Sequence, residues 1–425
     1  MSVCRKRANK RPIAESLTVN CAPICRSSVS SSIVDIASKW TEDYGSVFCV
    51  YFGPQLVVAL NSVEVAYEAM TKSDMAGRPF VASLQLLSGG GNNIGQSQMG
   101  PKLRLHRKLA TKALRYTLED SDFQKIRKIN DDIVFDYGNG MVEDIVPGLR
   151  HVYPTQKYRK TAQDIGFLQN FFGWQQLDLH KKNFTEGNIT DFIDFMIQAR
   201  KEAEKGGDPE EIEMLKDVYI VMDVVDLFTA GTDTTRSTLN WMIKYLSLYP
   251  DKQDKLRAEI NAVIGRERLP LAADRTKLPY CESVMLETMR VRPPLPFALV
   301  HAATCDTKVG EYDIPKGAII GLNVWTIHHN PKIWLNAEEF SPERFLTADE
   351  KLDPRPRSWL AFGTGTRVCL GENSAKTELI TILACLIQNF RFRLPDGVKN
   401  LDMTPGGCAF VHTPLPYEVI IEKIN

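Results

Sequence analysis

A glycine-rich loop that ends in a cysteine and runs straight into a helix is the feature that leaves this chain the fewest folds. In AFGTGTRVCLGENSAKTELITILACLIQNF, the residues Phe362, Gly363, Gly365, Arg367, Cys369 and Gly371 crowd together. Leu379, Ile382, Leu383, Leu386 and Phe390 then follow with helical spacing. Such a loop delivers the sulfur to a helix start, where amide groups and the dipole favour a thiolate over a thiol. Its glycines let the backbone come close to a flat partner. A lone cysteine is usually a small buried hydrophobe, but a cysteine framed in this way is expected to be a ligand.

The rest of the chain is large enough to enclose whatever that sulfur binds. With 425 residues, 44% hydrophobic and 24% charged, it has a globular composition and can bury a sizeable core. Lys plus Arg and Asp plus Glu balance at 52 each, which is not the electrostatic footprint of a nucleic-acid binder. Nine cysteines without a C-x-x-C pair or regular spacing argue against a disulfide framework and for a reducing compartment.

The amino terminus opens with the basic run MSVCRKRANKRP and continues Ser-rich, with Glu15 its only acid before residue 33. This reads as a flexible tail over residues 1–39, with a mitochondrial transit peptide as the alternative. No apolar run approaches the length that crosses a bilayer. GSVFCVYFGPQLVVALNS alternates apolar residues on both sides of Gly53 and Pro54, a strand-turn-strand signal. Asn61 and Glu64 then have capping-box spacing in front of a helix.

Helices dominate from about residue 101. KLRLHRKLATKALR places Leu103, His106, Leu109 and Ala113 on one stripe among Lys102, Arg104, Arg107, Lys108 and Lys112, the pattern of a basic amphipathic helix. DVVDLFTAGTDTTRSTLNWMIKYLSL is apolar over most of its circumference and ends before Tyr249 and Pro250, as a long interior helix would. An Asp inside such a helix is costly unless paired or functional, and threonine hydroxyls can bond back to the preceding turn and open it. A break at Asp233 and Thr234 is therefore expected. The segment from Asp251 to Gly265 is a further helix, and the Pro- and Gly-rich tail from Pro395 reads as loops and short strands. With no internal repeat or linker, residues 40–425 are expected to form one mainly α domain with a small β-rich part near the amino end.

The cysteine loop has the form F-x-x-G-x-R-x-C-x-G at every fixed position, and the chain from about Trp40 onward resembles the cytochromes P450. MAGRPF, MGPKLRLHRKLATKAL, NITDFIDFMIQARKEAE, KLPYCESVMLETMRVRPPLP and VWTIHHNPKIW make it most similar to the animal microsomal branch of steroid- and xenobiotic-oxidising enzymes. The resemblance implies a cytochrome P450 fold around haem b (iron protoporphyrin IX), with Cys369 as the metal ligand in a loop that includes Phe362 and Gly363. It implies that Arg107, His301 and Arg367 face the haem propionates. AGTDTT looks like the family's A/G-G-x-D/E-T motif, so Asp233 and Thr234 take the catalytic part of ordering water and delivering protons to dioxygen. ETMR and FSPERF resemble the elements that join Glu287, Arg290 and Arg344 in a buried network behind the haem.

The same resemblance implies a monooxygenase that inserts one oxygen atom from dioxygen into an apolar molecule, a steroid or a xenobiotic. No dinucleotide or flavin motif is present, so electrons are expected from NADPH through a separate cytochrome P450 reductase, docked on the basic helix at Lys102, Lys108 and Lys112. Its relatives sit on the endoplasmic reticulum membrane facing the cytosol, which implies at least peripheral membrane contact. Three departures stand out: Leu103 replaces the family's usual Trp, the hydrophobic anchor is absent, and the stretch between about 120 and 145 looks several dozen residues short. They leave a degenerate haem-binding or inactive protein as one alternative reading. A haem-thiolate isomerase or dehydratase is the other, although it has no use for Asp233 and Thr234.

Overall fold

A computed structural model of the chain describes residues 3–4, 33–52, 54–113, 129, 132–133, 136, 140–146, 148–407 and 411–424. The Ser-rich part of the amino-terminal stretch and most of the shortened stretch after residue 120 lie outside the described residues.

The hairpin forms as the alternation requires. Strands Val47–Phe52 and Gln55–Leu60 pair antiparallel from Val47 opposite Leu60 to Phe52 opposite Gln55. The second strand also runs parallel to Ile319–Leu322, with Val57 opposite Ile319, and His301–Ala302 pairs with that strand in turn. A sheet nucleated near the start is thus completed from the far end of the chain, and this places His301 beside it. The helix that follows, Val63–Thr71, has Ser62 rather than Asn61 at its N-cap position, without a side-chain cap hydrogen bond. Asn61 is 2% exposed, so its amide groups need partners inside the protein. Its Nδ2 donates to Ala59 O at 3.1 Å, and its Oδ1 accepts from Asn323 Nδ2 at 2.9 Å. The expected capping box is replaced by a clasp between two segments of the sheet.

Helix Ile33–Tyr44 starts inside the stretch that composition assigns to the tail. It does so because Val34 and Ala37 are buried and Ser38 Oγ lies 3.1 Å from Thr326 Oγ1.

The main core is helical. Trp241, Met242, Tyr245 and Leu246 of the long helix Asp217–Leu248 pack with Leu256 and Ile260 of Pro250–Val263, Val284 and Met285 of Pro279–Val291, and Leu379 and Leu383 of Glu372–Asn389. In the last of these helices the expected inner stripe shifts. Ile382 is exposed, while Ile380, Ala384 and Ile387 turn inward beside Leu379 and Leu383. Two adjacent apolar stripes satisfy the helical period equally, and only the neighbours decide which is buried.

The expected break at Asp233 does not occur: the long helix is α-helical over all 32 residues. Thr229, Thr232, Thr234 and Thr238 each donate to the carbonyl four residues earlier, at 2.8–2.9 Å. These bonds use spare carbonyl lone pairs and leave the backbone ladder intact. An irregularity arises where nothing in the sequence signals it. The helical run Gln156–Asn183 contains a π-helical segment, Gln169–Trp174, which stacks Phe172 on Phe228 of the long helix at 4.0 Å. Among the described residues no helix is long and apolar enough to cross a membrane.

Candidate active site

Three contacts shape the cysteine loop. Trp359 anchors its entry by donating from Nε1 to Leu286 O at 2.9 Å. Gly363 and Gly365 take φ of 73° and 78°, a left-handed backbone that side chains resist. A Cβ on Gly365 would stand 2.0 Å from Met70 O, so only glycine lets the loop lie against the end of helix Val63–Thr71. Phe362, half-buried, packs 5.8 Å from Trp359 and leaves its carbonyl to accept the Cys369 N–H at 2.9 Å, which closes the loop.

Cys369 stands at the start of helix Glu372–Asn389, with the Gly371 and Glu372 amides hydrogen-bonded to its sulfur. Its side chain is open at the tip and ringed by protein elsewhere. Burial pushes the thiol above its ordinary value, the amides and Arg107 pull it down, and burial wins. The amides thus act in the direction that the sequence leads one to expect, but a helix start alone does not outweigh burial. An anionic sulfur here needs a further positive charge, such as a metal ion, beside it.

The cations expected from the sequence gather around the same loop. Arg107 Nη2 donates to Val368 O at 2.7 Å, tying the basic helix Pro101–Ala113 to the residue before Cys369. Arg367 is 8% exposed and donates from Nε to Ala76 O at 3.0 Å and from Nη2 to Ser97 O at 2.5 Å, while its Nη1 is buried without a partner. Burial, then the charge of Arg107, lowers its pKa to about 10. His301 departs from the expectation of a cation. Burial first, then Arg78 and Arg367, push it down to about 3, so it stands neutral with Nδ1 3.0 Å from Met75 O. A carboxylate brought beside it would favour the charged form.

Sequence reasoning missed Arg78, a buried arginine of the MAGRPF segment with no pattern to mark it. It donates from Nε to Gly95 O at 2.7 Å and from Nη1 to Val300 O at 2.6 Å, and its charge is felt at His301. Like charges collected in a partly buried site are costly unless an anion joins them. The site therefore fits an anionic ligand, such as one carrying carboxylates, beside the sulfur.

The long helix forms the facing wall. Leu370, next to Cys369, shares an apolar cluster with Leu227 of that helix and with Leu103. Leu103 is 1% exposed, so the position that carries an indole in relatives is filled here by packing rather than by a hydrogen-bond donor. Beyond Leu227, Ala230 and Gly231 are exposed although they lie midway along an interior helix. Asp233 is buried with Oδ1 3.3 Å from Arg236 Nη2, and Thr234 Oγ1 donates to Ala230 O at 2.8 Å.

Two further acids on this helix were not singled out from the sequence. Asp223 is buried against His106 Nδ1, whose Nε2 lies 2.6 Å from Met214 O, so the residue before Arg107 is tethered to the long helix. Asp226 accepts the Gly95 N–H at 2.7 Å, and burial pushes its carboxyl up to about 7. Lone buried acids and histidines carry no signature of their partners in sequence.

Behind the loop, Glu287 and Arg290 of helix Pro279–Val291 are fully buried, whereas a lone pair at this spacing is usually a surface bridge. Arg290 binds Glu287 in a fork, Nε to Oε2 at 2.7 Å and Nη2 to Oε1 at 2.9 Å. Arg344 Nε and Ser341 N both reach Glu287 Oε1 at 2.9 Å. The three residues that the resemblance brings together are thus in direct contact.

The family model described as Cytochrome P450 matches residues 115–421. A steroid 17-alpha-hydroxylase/17,20 lyase of Squalus acanthias is 30% identical over 438 aligned residues, covering 90% of this chain and 86% of its own. One from Gallus gallus is 32% identical over 410, covering 83% and 80%. Among solved structures, a zebra fish cytochrome P450 with progesterone superposes with a TM-score of 0.80 at 25% identity, covering 92% of this chain and 100% of that chain. Another from the same source, with abiraterone, gives 0.73. The alignment to the shark enzyme is longer than this whole chain, so that relative carries residues with no counterpart here.

Proposed function

The chain belongs to the cytochrome P450 family, and on that premise we propose that it is a monooxygenase whose iron is held by Cys369 and whose substrate is a steroid. The reading rests above all on Arg367: a buried guanidinium two residues from the sulfur, with a free N–H and a second arginine, rather than a carboxylate, as its charged neighbour. Haem b, the family's cofactor, supplies dioxygen activation when bound, with electrons from a redox partner.

The protein's own residues do the rest. The Gly371 and Glu372 amides hydrogen-bond the sulfur, Arg107, Arg367 and Arg78 would hold the propionates, and the loop residues Phe362 and Gly363 would border the bound group. Leucine at 103 offers no donor to that set, whereas Arg78 adds a buried guanidinium to it. Thr234 Oγ1 spends its proton on Ala230 O, so its lone pairs can accept from water in the cleft. Asp233, hydrogen-bonded to Arg236, can pass a proton along that water.

Incubation with progesterone, NADPH and a P450 reductase under labelled dioxygen should give a product carrying one labelled oxygen atom. Asp233→Asn should slow product formation by roughly a hundredfold, the lower end of what one proton-transfer group contributes. A rearranged or dehydrated product with no added label would support the isomerase or dehydratase reading instead.

Docking of the reductase falls to a corrected set of cations. Lys102 is half-buried with Nζ 3.9 Å from the Tyr219 ring, and burial lowers its pKa, so it does not offer a free charge. The Lys112 side chain lies outside the described residues. Arg104 and Lys108, one turn apart, form the exposed basic face. Reversing both to Glu should slow reductase-supported turnover about tenfold, since charge complementarity acts mainly on association rate. Peroxide-supported turnover should not change, and equal loss in both assays would refute the assignment.

Peripheral membrane contact, which the family resemblance would put on the cytosolic face of the endoplasmic reticulum, is supported as contact by an apolar patch. Phe80, Val152 and Tyr153 are 70%, 84% and 73% exposed, with Ile145 and Val146 also uncovered. The turns that carry them are joined: Asp144 accepts from Ser83 N at 2.7 Å, and Arg150 lies over the Phe80 ring at 5.5 Å. Exposed aromatics beside a cation suit a lipid headgroup boundary. Val152→Asp with Tyr153→Asp should abolish co-sedimentation with phosphatidylcholine–phosphatidylserine vesicles; undiminished binding would exclude this face.

A further inference from the structure

His328 lies in the segment VWTIHHNPKIW and stands between the buried Glu287–Arg290–Arg344 network and the cysteine loop. It ends helix Val324–His328 and has no exposed surface. Its carbonyl accepts from Arg290 Nη1 at 2.8 Å, and its Nδ1 lies 3.2 Å from Arg290 O, so both ends of the residue are tied to the arginine of the buried network.

Its remaining nitrogen faces the other way, 2.8 Å from the backbone N of Leu360. A backbone N–H can only donate, so Nε2 must be the acceptor, and the proton of the neutral ring must sit on Nδ1, pointing at Arg290 O. The arrangement exists for one tautomer of an uncharged imidazole, and burial, with Arg290 and His329 nearby, holds the ring uncharged. Leu360 is itself the last fixed point before the cysteine loop. Its carbonyl accepts the Gly363 N–H at 2.8 Å, at the first left-handed glycine of the turn, and Phe362 O accepts the Cys369 N–H.

We infer that His328 is a positioning residue for the cysteine ligand, the link by which the Glu287–Arg290–Arg344 network sets the height of the loop that carries Cys369. The inference rests on Cys369 being the iron ligand. Without the Nε2 acceptor the Leu360 N–H is buried and unpaired, and the entry to the loop is free to shift. The network would then still hold its helices together but would no longer reach the sulfur. The ring also stacks 6.3 Å from Trp359, so packing and hydrogen bonding have to be separated by experiment.

Two substitutions do so. His328→Gln keeps an acceptor at the Nε2 position and loses the ring; His328→Phe keeps the ring and loses the acceptor. Both are expressed with hemin as the full chain, reduced and exposed to carbon monoxide, and the share of the red-shifted, thiolate-type carbonyl band is read against total haem. The Gln variant should stay near wild type, and the Phe variant should lose roughly tenfold in the ratio of thiolate-type to displaced forms, the scale of a buried donor left unpaired. A Phe variant with the full band, or a Gln variant that falls as far as Phe, overturns the inference. If the Phe variant does not fold, amide exchange in wild type decides: a Leu360 amide protected like the core supports the link, and one exchanging like an exposed loop overturns it. A wild-type protein with no thiolate-type band would instead defeat the assignment of Cys369 itself, a distinguishable result.

Discussion

Cys369→Ala is expected to abolish the thiolate-type carbonyl band and all dioxygen-dependent turnover while leaving the chain folded. The sulfur contributes little to packing: Cys369 is open at its tip, and the loop is closed by its backbone N–H on Phe362 O, which alanine retains. Gly363, Gly365 and the Trp359 anchor also remain, so the circular dichroism and melting of the hemin-free protein should match wild type. The arginines keep their place as well, so the variant should still take up hemin, though more weakly and with a spectrum lacking the thiolate signature. The balance of forces on the thiol predicts a further effect: Arg107 and the amides do not outweigh burial, so without a further cation the sulfur stays a thiol, and the hemin-free wild type should react slowly with iodoacetamide at Cys369. Survival of the red-shifted band in the alanine variant would move the ligand to another residue and dismantle the site.

What the sequence made legible was whatever is local. The hairpin that pairs Phe52 with Gln55, the end of the long helix before Pro250 and the glycine-cysteine loop each follow from residues within a few positions of one another, and each appears where expected. Pairings between distant segments were not legible. No periodicity indicates that Gln55–Leu60 will run beside Ile319–Leu322, that Asn61 will clasp Asn323, or that His106 will meet Asp223. The two errors at single positions have the same origin. Asn61 has the right spacing for a cap, and Ile382 lies on an apolar stripe, but tertiary neighbours claimed the first and ignored the second. The threonines at 232 and 234 erred in the opposite direction: their back-bonds form as chemistry suggests, and the helix simply tolerates them.

At the site the division is sharper. Glu287, Arg290 and Arg344 could be assembled beforehand only through the family resemblance, because an i, i+3 ion pair is common on surfaces, and burial alone makes this one consequential. Arg78 and His328 lie in segments that carry the resemblance, but nothing in those segments marks either one out. Each is a single polar residue whose meaning lies in which carbonyl or amide it faces across the fold.

The buried network should therefore give the largest stability effect in the molecule. Arg290→Ala leaves the fully buried Glu287 with Arg344 and the Ser341 amide as its remaining partners, and it strips the Arg290 donor from His328 O and one of the two arginine donors from Glu339 O. Removing one partner of a buried ion pair costs about 3–5 kcal/mol, a large part of the roughly 5–15 kcal/mol by which folded domains are stable. Arg290→Lys keeps the charge but cannot make the fork to both oxygens of Glu287 and also reach His328 O, so it should fall between alanine and wild type. Glu287→Gln offers no escape, because one oxygen gathers three donors and the other takes Arg290 Nε. An amide nitrogen in either place would face an N–H. The expected order of urea midpoints for the hemin-free protein is wild type, Arg290→Lys, then Arg290→Ala and Glu287→Gln together at the bottom. An alanine variant with an unshifted midpoint would mean that this cluster is not what holds the helical core to the cysteine loop.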